Sequence, residues 1–111
     1  MKSNLDPNTG TLAVFIEGDL VSTSAEPLRG EISRLIAKPT DSRIRWQVLR
    51  LDLSKAKVVD SVGLNFIVTI LKAIQKEGAK MQIVYANQNV HRTFLFTRLD
   101  RHLELIYGAA A

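Results

Sequence analysis

The six residues Asp60-Ser61-Val62-Gly63-Leu64-Asn65 mark the point where a strand-like pattern gives way to a helical one. Before them, Trp46-Gln47-Val48-Leu49-Arg50-Leu51-Asp52-Leu53 is mostly apolar, and its β-branched and aromatic residues predict a strand. Starting at the first of them, the pattern from Asp60 to Glu77 predicts a helix, and Gly78 closes this helix as its C-terminal cap residue. Asp60 suits the N-cap position, because its carboxylate can accept hydrogen bonds from unpaired N–H groups of the first turn.

A second strand and helix are predicted upstream of this point. The run Thr11-Leu12-Ala13-Val14-Phe15-Ile16 predicts a strand, and the turn formers of Asp6-Pro7-Asn8-Thr9-Gly10 give it a possible hairpin partner. Ser22-Thr23-Ser24 supplies candidate N-caps for a helix that carries Pro27 in its first turn. The apolar residues of this helix follow at helical spacing, namely Leu28, Ile32, Leu35 and Ile36. Pro39 marks the helix end, and residues 38–45 form a predicted loop.

The alternation continues towards the C-terminus. Met81-Gln82-Ile83-Val84-Tyr85 predicts a strand, residues 90–99 a helix, and Leu103-Glu104-Leu105-Ile106-Tyr107 a last short strand. Strands that alternate with helices indicate βαβ units with right-handed crossovers. We therefore expect an α/β fold in a single domain, residues 1–111. Its sheet should be mixed and mostly parallel, with four to five strands packed with three to four helices.

Composition excludes several classes of protein. The chain has 111 residues, of which 46% are apolar and 23% charged, as in ordinary soluble domains. It has no apolar run of the ~18 residues that a membrane span needs, and no secretory signal pattern. We expect a cytoplasmic protein without a membrane partner. The absence of cysteine excludes disulfides, thiolate metal sites and a cysteine nucleophile.

No catalytic constellation is evident in the sequence. His91 and His102 lie on separate predicted elements without the spacing of a metal site, and each is interpreted as a surface residue or cap. Asp52 and Asp60 flank one predicted loop, where the simpler roles are a strand end and an N-cap. We therefore expect a protein that is not an enzyme, with no catalytic residue, no cofactor and no metal.

Ser61 and Gly63 have two interpretations each. In the first, Asp60-Ser61 is only a helix start and Gly63 only a close-packing residue. In the second, the Ser61 hydroxyl lies near solvent at the positive end of the helix dipole and receives a phosphate. Gly63 would then leave the surface bare, so that the backbone of another protein can approach.

The helix after Asp60 carries more apolar residues than one buried face requires. Its core face is predicted to comprise Leu64, Ile67, Val68, Leu71 and Ile74. Its polar stripe is predicted to comprise Asn65, Thr69, Lys72 and Lys76. Phe66 lies outside the predicted core face, and is either covered by a neighbouring element or left exposed for a partner.

The formal net charge is +4, and the densest basic group is His91, Arg92, Arg98, Arg101 and His102. This group is either a solvated surface or a docking face for an acidic partner or a nucleic acid. No aromatic residues interleave a basic strip in the manner of nucleic-acid binders. We therefore expect no direct nucleic-acid binding.

Two blocks of the chain resemble one known family. The first is Leu51-Asp52-Leu53-Ser54 leading into Val58-Val59-Asp60-Ser61-Val62-Gly63-Leu64. The second comprises Asn87 through Val90, Arg92, Phe94, Thr97, Leu99 and Asp100. In that order they are similar to the phosphoacceptor turn and the last helix of the STAS family. Within that family, the chain resembles the bacterial anti-sigma factor antagonists over nearly its whole length.

This resemblance implies a partner switch at Ser61. Members of this group are phosphorylated by an anti-sigma-factor-type serine kinase and dephosphorylated by a PP2C-type phosphatase, and the unmodified protein binds the kinase and frees its client. We expect the partner surface to comprise Asp60, Val62, Gly63, Asn65, Phe66, Thr69, Asp19 and Val21. We expect a monomer or a weak dimer.

Three positions depart from the pattern of the antagonists. Val62 replaces a frequent second hydroxyl, and Val21 stands where an acidic residue is common, which can weaken the kinase site. Arg98 replaces a glycine, so we expect a changed helix end. The alternative function is a constitutive, non-phosphorylated STAS scaffold subunit of a signalling or lipid-transport assembly. A nucleic-acid binder is a third hypothesis.

Overall fold

An antiparallel hairpin begins the fold in the computed structural model, which describes residues 2–37 and 46–108. Strand β1 (Lys2–Asp6) pairs with strand β2 (Thr11–Phe15), with Leu5 opposite Leu12. Gly10 closes the turn at φ +68°, and its N–H donates to the Asp6 carbonyl oxygen at 2.9 Å. The hairpin partner expected before the Asp6–Gly10 turn is therefore confirmed.

Three strand–helix units follow the hairpin. Helix α1 (Ser22–Ala37) leads to strand β3 (Val48–Leu53), and helix α2 (Ser61–Gln75) leads to strand β4 (Lys80–Tyr85). Helix α3 (Gln88–Phe96) and a 3-10 helix (Leu99–Arg101) lead to strand β5 (Glu104–Tyr107). The sheet order is β1-β2-β3-β4-β5, in which β2 to β5 are parallel. The predicted mixed, mostly parallel sheet with five strands and three α-helices is confirmed.

One face of the sheet forms the core. Alternate residues of β2, β3 and β4 are buried there, because the period of a strand is two residues. These residues are Leu12, Val14, Leu49, Leu51, Leu53, Met81, Ile83 and Tyr85. On the other face, Arg50 Nε donates to Gln82 Oε1 and Gln82 Nε2 to Glu104 Oε1, both at 2.9 Å. That polar ladder ties three neighbouring parallel strands together.

Helix α1 begins earlier than the sequence predicts. Ser22 is its first residue, so Pro27 lies in the second turn and the predicted first-turn position is wrong. The Val21 carbonyl oxygen accepts the N–H groups of Ser24 and Ala25, while Ser24 Oγ accepts the Val21 N–H at 3.0 Å. Ser24 thus bonds back to the residue at the cap position. The predicted end at Pro39 and the predicted loop 38–45 lie outside the described residues.

Helix α2 buries a different arc from the predicted one. Phe66, Ile67, Ile70, Leu71 and Ile74 are buried, whereas Leu64 and Val68 are only half-buried. The helix contacts both α1 and β4, so it needs an apolar face broad enough for a helix and a sheet. Phe66 is 1% exposed and belongs to the core. The interpretation of Phe66 as a residue left exposed for a partner is wrong.

Helix α3 ends at Phe96, three residues before the predicted end. Arg98 then adopts the left-handed conformation at φ 60°, ψ 21°, and its carbonyl oxygen accepts the Arg101 N–H. The expected change of the helix end assumed that arginine would not tolerate a positive φ, and that assumption is wrong, because Arg98 adopts the conformation that favours glycine. A side chain with a Cβ costs about 1–2 kcal/mol in this conformation.

Replacing Arg98 with glycine is expected to raise the free energy of unfolding by roughly 0.5–1 kcal/mol, because it removes this backbone strain. Urea unfolding followed by circular dichroism measures the change. Arg101→Gly is the matched control, since it removes the same charge from a residue whose φ is not positive. A lower unfolding free energy for Arg98→Gly than for wild type would contradict the strain argument.

Candidate functional site

The site lies where the loops after β2 and β3 run side by side. Leu20 and Val59 form an isolated parallel bridge. The Leu20 N–H donates to the Val58 carbonyl oxygen at 3.1 Å, and the Asp60 N–H donates to the Leu20 carbonyl oxygen at 3.2 Å. The pairing of β2 and β3 is therefore extended beyond both strands. As a result, α1 and α2 both begin at the carboxyl end of these parallel strands.

Two carboxylates fasten these loops to each other. Asp19 Oδ1 accepts the backbone N–H groups of Lys57 and Val58 at 2.7 and 3.2 Å. In the opposite sense, Asp60 Oδ2 accepts the Ser22 N–H at 3.1 Å, while Asp60 Oδ1 accepts the Gly63 N–H at 2.9 Å. Asp60 thus caps its own helix and also binds the first N–H of α1. We call this arrangement the carboxylate junction.

Ser61 is the first residue of α2 and is exposed. Among the described residues, its hydroxyl makes no hydrogen bond, so it is no part of the carboxylate junction. The N-terminal end of a helix carries partial positive charge and unpaired N–H groups, which favour an anion. The Ser61 side chain is therefore exposed at a helix end whose electrostatic potential favours an anion.

Gly63 is buried against the backbone of the chain itself. A Cβ at this position would overlap the Leu20 carbonyl oxygen and lie 3.0 Å from the Leu20 carbonyl carbon. The interpretation in which Gly63 leaves a bare surface for another protein is therefore wrong. Its role is to let the start of α2 approach the loop that precedes α1.

The structure brings most of the predicted partner surface together. Asp19, Val21, Asp60 and Val62 lie at the junction around Ser61, and Val62 is exposed. Asn65 and Thr69 are exposed one and two helical turns further along α2, where Thr69 Oγ1 donates to the Asn65 carbonyl oxygen at 2.8 Å. Gly63 and Phe66 are the two that the structure removes from this surface, since both are buried.

Two residues near Ser61 were missed by the sequence analysis. Ser22 is exposed as the first residue of α1, and its N–H binds the second oxygen of Asp60. Val58 is an exposed apolar residue two positions before Asp60. A single N-cap bond leaves one oxygen of Asp60 for another donor, but no local sequence pattern identifies Ser22 as that donor.

The remaining polar candidates have structural roles. Asp52 Oδ1 accepts the Ser54 N–H at 2.9 Å, which stabilises the turn after β3. The His91 ring stacks on Tyr85 with centroids 4.5 Å apart, and His102 is exposed. Residues 2–37 and 46–108 contain no group of three or more His, Cys, Asp or Glu that could hold a metal ion. Over the same residues, no helix is long and apolar enough to cross a bilayer.

Comparison with known proteins agrees with this architecture. The profile of the STAS domain matches residues 2–109. The chain belongs to the STAS domain family. A curated Thermotoga maritima protein with the provisional designation of anti-sigma factor antagonist is 38% identical over 55 residues. That match covers 50% of this chain and 49% of the relative, so it spans about half the length of each.

Two solved structures are similar in fold to this chain. A Thermotoga maritima crystal structure with the same provisional designation has a TM-score of 0.77 at 22% identity, over 97% of this chain and 86% of that one. A sulfate transporter family protein from Wolinella succinogenes has a TM-score of 0.70 at 16% identity, over 90% and 78%. At these identities the similarity shows the fold alone.

Replacing Gly63 with alanine is expected to lower the free energy of unfolding by roughly 1–3 kcal/mol, because the new methyl group must displace the Leu20 backbone. Gly30→Ala is the control, since Gly30 lies in α1 and a Cβ added there would have no atom within 4 Å. It should raise stability by roughly 0.5–1 kcal/mol through helix propensity. Equal effects in chemical denaturation would refute the close-approach role of Gly63.

Proposed function

We propose that this STAS domain is a non-enzymatic partner-switching regulator controlled by phosphorylation of Ser61. The unphosphorylated form binds an anti-sigma-factor-type serine kinase and releases the client of that kinase. Phosphorylation abolishes the binding, and a PP2C-type phosphatase restores it. The observation that carries this proposal is the exposed Ser61 hydroxyl at the start of α2, beside the carboxylate junction and not part of it. The similarity to anti-sigma factor antagonists supports it.

A phosphate on Ser61 would leave the fold standing. It adds about −1.5 to −2 charges, and the Asp60 carboxylate next to it opposes that charge. However, both oxygens of Asp60 are already bound to N–H groups, and the N-terminal ends of α1 and α2 both lie nearby. These helix ends supply positive potential that offsets the repulsion. The expected change is therefore electrostatic and local.

The same charge would oppose a bound partner. The exposed residues nearest Ser61 along α2 are uncharged, namely Val62, Asn65 and Thr69, and Val58 adds an apolar side chain. A partner that covers this surface removes water from it. Burying a phosphate there without a cation costs far more than burying a serine hydroxyl. Phosphorylation therefore weakens binding without a conformational change in this domain.

The competing function is a constitutive STAS scaffold that is never phosphorylated. The fold is also found in a sulfate transporter family protein, and Val62 and Val21 depart from the antagonist pattern. This alternative requires a stable complex of the unmodified chain and no phosphorylated form in cells. Mass spectrometry of the chain isolated from its own cells, with and without phosphatase inhibitors, separates the two functions.

Incubation with ATP and the cognate anti-sigma-factor-type serine kinase is expected to add one phosphate to wild type and none to Ser61→Ala. Ser22→Ala is the matched control, because Ser22 is also an exposed serine at the first position of a helix. It should be labelled like wild type. Intact-mass measurement with site mapping reads the result. Equal labelling of wild type and Ser61→Ala would exclude Ser61 as the acceptor.

Ser61→Asp is expected to weaken binding to the same kinase at least about tenfold, even though aspartate carries less charge than a phosphate. Isothermal titration calorimetry measures the affinity. Ser3→Asp introduces the same charge on the exposed edge strand β1, and its affinity should equal that of wild type. If Ser61→Asp binds as tightly as Ser3→Asp, added charge at Ser61 is not the switch.

A further inference from the structure

The end of α3 exposes two neighbouring apolar side chains away from the Ser61 site. Phe96 is 84% exposed and Leu95 is 45% exposed, whereas Val90 and Phe94 on the opposite side of the helix are buried. Arg92 lies three and four residues before them, so these three side chains share the outward face of α3. We call this face, together with Arg98 and Arg101, the Arg–Phe patch.

The charge of the Arg–Phe patch is unbalanced. Arg92, Arg98 and Arg101 are exposed, and in the part of the chain that the structure describes none of them forms an ion pair. Arg92 Nη2 only donates to Asn89 Oδ1, at 3.3 Å. Asp100 is the sole acidic residue between His91 and Leu103 in the sequence. The exposed Phe96 thus lies within five residues in sequence of three exposed arginines that have no carboxylate partner among the described residues.

Arg98 is held in this patch at a cost in stability. It is the one residue other than glycine with a positive φ in the described ranges, and glycine would adopt that conformation without strain. Its side chain makes no hydrogen bond among those residues. The left-handed backbone serves the turn between α3 and the 3-10 helix, where the Arg98 N–H donates to the Leu95 carbonyl oxygen at 3.1 Å. Glycine would form the same turn without strain, so the turn does not require the arginine side chain, which can contact a partner.

The Arg–Phe patch lies towards the amino end of the parallel strands, whereas Ser61 lies at their carboxyl end. Helix α3 starts after the carboxyl end of β4, the edge at which α2 also starts, and runs back before β5 begins. Its 9 residues span about 13 Å at 1.5 Å per residue, so its last turn lies near the amino ends of β4 and β5. A partner on the patch can therefore leave the Ser61 surface free.

We propose that the Arg–Phe patch docks an acidic segment of a protein partner, with Phe96 as its apolar anchor and the three arginines pairing with carboxylates. Phenylalanine and arginine are both enriched at protein interfaces, and the arginine fork matches a carboxylate. A second copy of this chain would bring like charges together. Two exposed apolar side chains give only marginal insertion into a membrane. This docking is independent of phosphorylation at Ser61.

The test uses the full chain and two synthetic peptides at low salt. In one peptide, glutamates flank a leucine-rich stripe, and in the other each glutamate is replaced by lysine. The acidic peptide should shift the amide NMR signals of residues 92–101, and the lysine peptide should not. Phe96→Ser should weaken binding about fivefold or more, whereas Tyr107→Ser, an exposed aromatic on β5, should not. Ser61→Asp should bind like wild type.

Arg98→Gly separates binding from stability. It should weaken peptide binding while raising the urea midpoint of unfolding, so a loss of affinity cannot be attributed to damage to the fold. The proposal is overturned if the acidic peptide does not bind, or if Phe96→Ser binds it like wild type. It is also overturned if the acidic peptide does not bind and another occupant binds instead. Such an occupant would be phosphatidylglycerol vesicles, an RNA oligonucleotide or a second copy of the chain, bound in a manner that depends on Phe96. None of these outcomes bears on Ser61.

Discussion

The two oxygens of the Asp60 carboxylate, each bound to the first turn of a different helix, are the constraint on which the site depends. Unpaired N–H groups at the start of a helix are costly when they are taken from water. Here one side chain accepts an N–H of α1 and an N–H of α2. Asp19 in turn accepts the N–H groups of Lys57 and Val58, which lie in the loop that leads to Asp60. The positions of α1 and α2 are therefore coupled through side chain–backbone bonds as well as through the core between them. Gly63 completes this arrangement, because only a residue without a Cβ lets the start of α2 contact the Leu20 backbone.

This arrangement separates the residues that hold the fold from the exposed side chain of Ser61. Contacts within the chain involve Asp60, Asp19 and Gly63. The neighbouring Ser61 hydroxyl makes no hydrogen bond among the described residues. A charge added to Ser61 changes the potential at the surface without removing a bond from the junction. A switch built in this way acts on the affinity of a partner and needs no second conformation of the domain. That is a simpler requirement than a transition between two discrete conformations.

Sequence patterns predicted the fold more completely than they predicted the contacts of the site. The alternation of apolar periods predicted the order of the elements, and Asp60 was identified as an N-cap because capping is a local effect that spans three residues. The second bond of Asp60 joins residues 38 positions apart, and no local pattern carries it. Phe66 was misplaced for a related reason. Helical periodicity shows that an apolar arc exists, but which part of the arc is buried depends on α1 and β4, which α2 contacts. Gly63 and Arg98 show the same limit at the level of the backbone, since close approach and φ are set by the tertiary structure.

The distribution of charge is compatible with the two separate surfaces proposed above. The formal net charge is +4, yet the exposed residues along α2 nearest Ser61 are uncharged, and the arginines of the Arg–Phe patch gather towards the far end of α3. At physiological ionic strength, interactions between exposed charges decay over about 8–10 Å. The length of α3, about 13 Å along its axis, exceeds that distance. A phosphate on Ser61 would therefore act strongly on a partner that covers the start of α2, and little on one bound at Phe96. In the proposed scheme, screening and the length of α3 are therefore sufficient to keep the two surfaces independent, without a conformational change between them.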